Sequence, residues 1–307
     1  MNQMTTLVRR ELWEHRAIVF VPGVFGLLFV VAVILGIFGF ANVRIDGGVG
    51  AATLGDLADR VRPDQWRPLM ELVFASVAVT MQVVMGVIIF FYLIDSLYAE
   101  RRDRSILFWK SLPVSDTRVV ASKLVTAALA TPAITVAVFV GTAILLWLIA
   151  GGTLFFSGAS EALAAGPGAL AKTVTIMAYA MLVQALWHAP LYGWLLLASA
   201  YAKRAVLLWA ILPPIGVIVA EQILFGTERF ATVLGERMVG GLPLAFDQFQ
   251  GGIGWHDGAD AATAFPPLAE FLTPGRFLAA PDLWAGFVLA AAFLAGAIWL
   301  RRWRDEA

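Results

Sequence analysis

Six long, nearly uncharged apolar blocks divide this chain, at residues 18–40, 72–97, 124–150, 174–198, 206–225 and 283–300. A helix gains about 1.5 Å per residue, so each block covers the roughly 30 Å hydrocarbon thickness of a bilayer. In lipid every backbone N–H and C=O needs a partner within the protein, and a single segment satisfies that demand only as a helix. The expected fold is therefore all-α: an integral membrane protein with six transmembrane helices. The block at 18–40 exceeds the apolar stretch of a signal peptide and reads as a retained anchor.

The rest of the composition excludes other classes. Hydrophobic residues make up 60% of the 307 and charged residues only 14%, and there is no cysteine to build a disulfide framework or a thiolate metal site. Net charge is zero. The basic residues gather at the ends of the apolar blocks rather than on one face, which argues against a nucleic-acid partner. Arg9, Arg10, Arg16, Arg101, Arg102, Arg104, Lys110, Arg118, Lys123, Lys203, Arg204, Arg301, Arg302 and Arg304 all fall on one side of a six-crossing layout. By the positive-inside rule that side is the cytoplasm, with both termini in it.

Residues 1–17 place Leu7, Val8, Leu12 and Trp13 at helical spacing against Arg9, Arg10, Glu14 and Arg16, as in an amphipathic helix lying in the interface. The outer stretch 226–282 holds apolar pieces too short to cross, at 230–234 and 265–272, which read as short re-entrant or interfacial helices. With no internal repeat, residues 1–307 form a single membrane domain.

The dense polar segment at 100–118 lies between the second and third blocks. Pro113 disfavours helical geometry at Leu112, and Ser115 is a candidate N-cap for a helix running on through Lys123. Ile106, Leu107, Phe108 and Trp109 stand beside Arg101, Arg102, Arg104 and Lys110. Two readings fit: a protein-docking surface, or an aromatic belt resting on headgroups.

From Glu100 to Lys123, with Ser111-Leu112-Pro113-Val114-Ser115 at its centre, the sequence resembles the ABC-2 type permeases, membrane subunits of bacterial ABC exporters. The stretch Leu272-Thr273-Pro274-Gly275-Arg276-Phe277-Leu278, then Pro281-Asp282-Leu283-Trp284 and the Arg301-Arg302 pair, carries the same resemblance. It implies a cytoplasmic coupling helix between helices 2 and 3, an N-terminal connecting helix, and re-entrant helices before helix 6. It also implies two permease chains, a homodimer or a heterodimer with a similar permease, with two copies of an ABC ATP-binding subunit in a bacterial cytoplasmic membrane. No Gly-x-x-x-x-Gly-Lys-Ser/Thr loop occurs, so this chain has no recognisable ATP-phosphate cradle. ATP and Mg2+ would then belong to the partner, leaving this chain a transport subunit and not an enzyme.

The expected ATPase-coupling residues are Glu100, Arg101, Arg102, Arg104, Phe108, Trp109, Lys110, Leu112 and Pro113. Gln82, Gln184, His188 and Glu221 are polar groups at membrane depth and hence candidates for a translocation path; hydrogen bonding between helices is the structural alternative for Gln184 and His188. Ala291, Ala292, Ala295 and Gly296 give the last block a small-residue face suited to close helix contact. An ion-gradient-driven secondary transporter is the alternative function, but it would show repeat halves around midplane charges. An intramembrane enzyme would need paired catalytic groups, and His188 has no such partner in its own helix.

Overall fold

The computed structural model describes residues 3–37, 42–45, 48–51, 61–111, 114–247 and 268–303. The described residues are overwhelmingly helical, and six helices are long and apolar enough to cross a membrane. In chain order the helices are α1 (Gln3–Glu14), α2 (Ala17–Ile37), α3 (Trp66–Arg102), α4 (Ser105–Ser111), α5 (Asp116–Phe156), α6 (Ser160–Trp187) and α7 (Ala189–Tyr201). Then follow α8 (Val206–Phe225), α9 (Arg229–Val239), α10 (Gly241–Ala245), α11 (Leu268–Phe271), α12 (Pro274–Ala279) and α13 (Pro281–Trp303). Between α2 and α3 a short antiparallel ribbon pairs Asn42–Ile45 with Gly48–Ala51.

The spans differ from the apolar blocks in instructive ways. Helix α3 has 37 residues and α5 runs for 41. At 1.5 Å per residue these reach about 55 and 60 Å, well beyond a 30 Å hydrocarbon core. Charge marks both ends of α3: Glu71 accepts from Lys172 at 2.7 Å near one end, and Glu100 lies near the other. Along the helix those carboxylates are separated by about 43 Å, the thickness of a bilayer including its headgroup regions. The predicted fourth span, 174–198, is a composite of α6 and α7 that breaks at His188, one residue before the helix resumes with Pro190 near its start. The segment expected as the loop before it is helical from Ser160.

Helix α3 is the hub. Phe74, Val77, Met81, Met85, Ile89 and Leu93 recur at three- to four-residue spacing and are essentially inaccessible, packed against α2, α5, α6 and α7. With no hydrophobic driving force between helices in lipid, close approach and polar links must hold the bundle. Gly166 provides one approach, since a Cβ there would collide with the ring of Trp147. Gly193 provides another, bringing α7 onto the backbone of α13 at Ala290. On α13 the predicted small-residue face divides: Gly296 faces Leu197 of α7, whereas Ala291, Ala292 and Ala295 stay exposed in the single chain. Helix α5 carries two π turns, at Thr126–Ala130 and Trp147–Gly151, the first just ahead of Pro132. A wide turn there suits a proline that cannot donate to the i−4 carbonyl.

A second apolar cluster forms where α6 meets the outer helices, from Val183, Trp187, Phe246, Phe271, Phe277 and Leu283. Arg276 ties it together by donating to the carbonyls of Pro243, Leu244 and Phe246 and to Asp247. Those carbonyls close the C-terminus of α10, where a cation is favoured.

Candidate functional site: a buried ion-pair node

The amphipathic pattern of α1 makes Leu7 and Glu11 share one face, four residues apart. The structure turns that face inward: Leu7 is buried, and Glu11 is only 1% exposed. Trp13, expected on the apolar face, is 69% exposed and carries Arg9 over its ring. An acid so buried needs partners. Its carboxylate accepts from Lys123 of α5 at 3.0 and 3.1 Å and from the Tyr92 hydroxyl of α3 at 2.9 Å.

Lys123 also meets Glu100 at 2.9 Å, and Glu100 in turn pairs with Arg301 of α13. Arg301 reaches Asp116 at the start of α5, 3.0 Å away. Arg10 adds a longer contact to Glu100 at 3.8 Å. Glu11, Glu100 and Asp116 with Lys123, Arg301 and, more loosely, Arg10 thus join α1, α3, α5 and α13 in one cluster, and the side chains of Glu11, Lys123 and Arg301 are nearly inaccessible. Charges taken so far from water persist only when paired and hydrogen-bonded, as these are. His15 edges the cluster with its ring T-stacked on Tyr92. Burial holds its imidazole below the usual histidine range, partly opposed by the nearby Glu11 carboxylate.

Next to the node sits α4, the centre of the predicted coupling segment. Arg104 turns the chain with φ 56°, a left-handed conformation that non-glycine residues seldom adopt. Ile106 then packs inward, leaving Leu107 half exposed. Phe108, Trp109 and Lys110 lie on the backbone of α4; Leu112 and Pro113 lie outside the described residues. Ser115 is the N-cap that its position suggested, its hydroxyl accepting from the amide of Arg118 at 3.4 Å.

Two of the expected docking residues need correction. Glu100 and Arg101 are buried, so neither offers a surface to a partner. Arg101 points across to the α7–α8 turn and donates to the carbonyls of Ser199 and Ala202, the latter at 2.8 Å. Helical periodicity explains this, because Leu97, Glu100 and Arg101 share the inward stripe of α3. Arg102 and Arg104 are exposed, Arg102 beside Asp103 at 3.0 Å and, more loosely, Asp95 at 3.9 Å.

The candidate path residues fall into two places. Gln82 and Gln184 are hydrogen-bonded to each other across α3 and α6. His188, at the break after α6, lies 2.9 Å from the carbonyl of Gln184 and 3.1 Å from that of Met238. Trp187 donates to the carbonyl of Glu236 at 3.0 Å, so the end of α9 is fastened to the α6–α7 break. Glu221 is remote from these and caps α9. Its carboxylate accepts from Thr227 at 2.6 Å and from the amides of Arg229 and Phe230 at 3.0 and 2.8 Å.

Glu11, Tyr92 and Asp116 are node residues that the sequence does not single out, and Glu11 is the most buried acid among them. Its signal was available: an acid one helical turn after Leu7 on the face meant to be apolar.

Residues 67–183 match the family model described as ABC-2 family transporter protein, a stretch that holds α3 from its second residue, α4, α5 and most of α6. Glu100 and Lys123 are therefore inside the matched region. No curated protein matches the chain.

Proposed function

From the match of residues 67–183 to the ABC-2 family of transporter proteins, we propose that this chain is the membrane-spanning permease subunit of an ATP-binding-cassette exporter. Its two copies would form a homodimer in the cytoplasmic membrane, with both termini inside, and two ATP-binding subunits would supply hydrolysis. The surface for those subunits is α4 and its flanks, 102–113, without Glu100 and Arg101.

The observation that carries this reading is the setting of α4. It connects the end of α3 to the start of α5, and near those ends Glu100 and Lys123 tie both helices to α1 and α13. A push on α4 would thus act on four helices as one body, because packed, paired elements transmit displacement rather than absorb it. Coupling needs such a footing.

The test is the double substitution Phe108→Ala/Trp109→Ala, in the full chain co-expressed with an ATP-binding subunit. Truncating aromatic anchors at an interface typically costs about 2 kcal/mol or more. The variant should insert and dimerise normally but lose association with the ATPase and its stimulated hydrolysis. Wild-type association and transport would overturn the assignment and make the segment a lipid-facing belt.

A further inference from the structure

The sequence has four dibasic pairs at the ends of its apolar blocks, and the structure treats one of them differently. Arg10 pairs with Glu14 at 2.7 Å, Arg102 with Asp103 at 3.0 Å, and Arg301 with Asp116 at 3.0 Å. Lys203 and Arg204, in the turn between α7 and α8, are both exposed and make no ion pair or hydrogen bond among the described residues. There is no acid to meet them locally, since residues 189–220 contain neither Asp nor Glu. The turn itself is anchored at the charged end of the bundle by Arg101, which donates to the carbonyl of Ala202.

An apolar surface groove lies beside this turn, along α7 and α8. Two adjoining cavities of about 280 and 240 Å³ share Trp209 and Pro213 and together form a groove. Its walls are Trp194, Leu197, Tyr201, Trp209, Leu212 and Pro213, apolar throughout apart from the tips of the aromatic rings. Tyr201 and Trp209 meet edge to face at 4.8 Å at the end nearer the basic turn. From Val206 to Pro213 the groove follows α8 for about 10 Å into the membrane.

We propose that the α7–α8 groove is a binding site for an anionic phospholipid of the leaflet at the charged end. Its headgroup phosphate is held by Lys203 and Arg204, and one acyl chain lies along the apolar groove over the contacting rings of Tyr201 and Trp209, toward Leu212 and Pro213. Charge complementarity selects this occupant: two uncompensated cations at headgroup level open directly onto an apolar slot. Basic pockets between transmembrane helices are suited to acidic lipid headgroups, and aromatic rings of this kind favour the interface. A neutral lipid would fill the slot but leave the cations unmet.

The test uses the full chain in bilayer discs with equal parts phosphatidylglycerol and phosphatidylcholine of identical acyl chains. Lipid retained per chain is read by native mass spectrometry. Wild-type chain should retain phosphatidylglycerol preferentially, and Lys203→Gln/Arg204→Gln should remove the preference. At about fivefold per basic residue, the loss for the pair is roughly 30-fold. Trp209→Ala, which keeps both cations and alters a partly exposed wall, should lower retention of both lipids. Undiminished phosphatidylglycerol preference in the glutamine pair would overturn the proposal. So would unchanged retention in Trp209→Ala, which would leave a surface phosphate contact without a seated chain. If Trp209→Ala instead dissociates a dimer without changing lipid retention, the groove seats a second copy and the lipid assignment fails.

Discussion

Trp194 donates its indole N–H to the carbonyl of Ala210 at 2.9 Å, and that carbonyl is the one Pro214 leaves without an intrahelical partner. The same arrangement recurs at the other end of the bundle. Trp147 donates to the carbonyl of Leu163 at 2.9 Å, four residues before Pro167 in α6. In lipid no water can satisfy a freed carbonyl, so a proline inside a span calls for a donor from a neighbouring helix. The two tryptophans supply it and, in doing so, fix α7 against α8 and α5 against α6.

Trp194→Phe should therefore destabilise the chain by about 0.5–2 kcal/mol beyond its loss of packing. Restoring the missing amide with Pro214→Ala should recover that part, because the Ala210 carbonyl then has its own helical donor. Unfolding in mixed micelles of the wild type, both single variants and the double variant measures the coupling. If Trp194→Phe costs as much in the Pro214→Ala background, the indole only fills space.

Lys123 is the cation on which both buried acids converge, 3.0 Å from Glu11 and 2.9 Å from Glu100. Lys123→Met keeps the length of the side chain but leaves two carboxylates facing each other out of water. Breaking a buried pair from one side typically costs about 3–5 kcal/mol. Adding Glu11→Gln to Lys123→Met should recover a large share of the loss, since the remaining Glu100 still has Arg301. A thermal midpoint unmoved by Lys123→Met would mean that water reaches the node.

How much of this was legible in advance divides along physical lines. The spans were, because lipid imposes length and apolarity on the sequence directly: 206–225 coincides with α8, and 283–300 lies within α13. The Ser115 cap was legible too, since a cap is a local event. Burial of Glu100 and Arg101 was not, because it rests on partners distant in sequence: Lys123 and Arg301 for Glu100, the carbonyls of Ser199 and Ala202 for Arg101. The break at His188 falls just before Pro190, whose ring cannot donate to the Leu186 carbonyl, while residues 174–198 stay uniformly apolar enough to cross, so hydropathy alone does not mark it.

His15 gives the cluster a dependence on pH. Its imidazole faces Glu11, Glu14, Asp95, Lys123 and the ring of Tyr92, and burial depresses its pKa below the unfolded value of 6.5. The unfolded chain thus takes up a proton more readily than the folded one. The stability from a neutral His15 is present above pH 6.5 and is lost as pH falls toward the folded value. The thermal midpoint should drop between pH 7 and pH 5 by more in the wild type than in His15→Gln, on the order of a few degrees. Parallel pH profiles for the two proteins would remove His15 from the account.

Glu221 has a structural task that its position in the sequence does not announce. Helix α9 begins after Glu228, whose own side chain does not cap it, so its first amides need an outside acceptor. Glu221, in the last turns of α8, provides it through both oxygens: one accepts from Thr227 and the amide of Arg229, the other from the amide of Phe230. A carboxylate at a helix N-terminus gains from the charge as well as from the bonds. Glu221→Gln keeps an acceptor oxygen but loses the charge, and Glu221→Ala loses both. The cost should be larger for Ala than for Gln and fall on α9 rather than on the whole bundle. Hydrogen exchange at Arg229 and Phe230 should then accelerate by roughly three- to fivefold in Glu221→Gln and by about tenfold or more in Glu221→Ala. Amides of α3 should be unaffected. If transport falls in Glu221→Gln while exchange at those two amides stays at the wild-type rate, the carboxylate acts on the translocation path and not as the cap of α9.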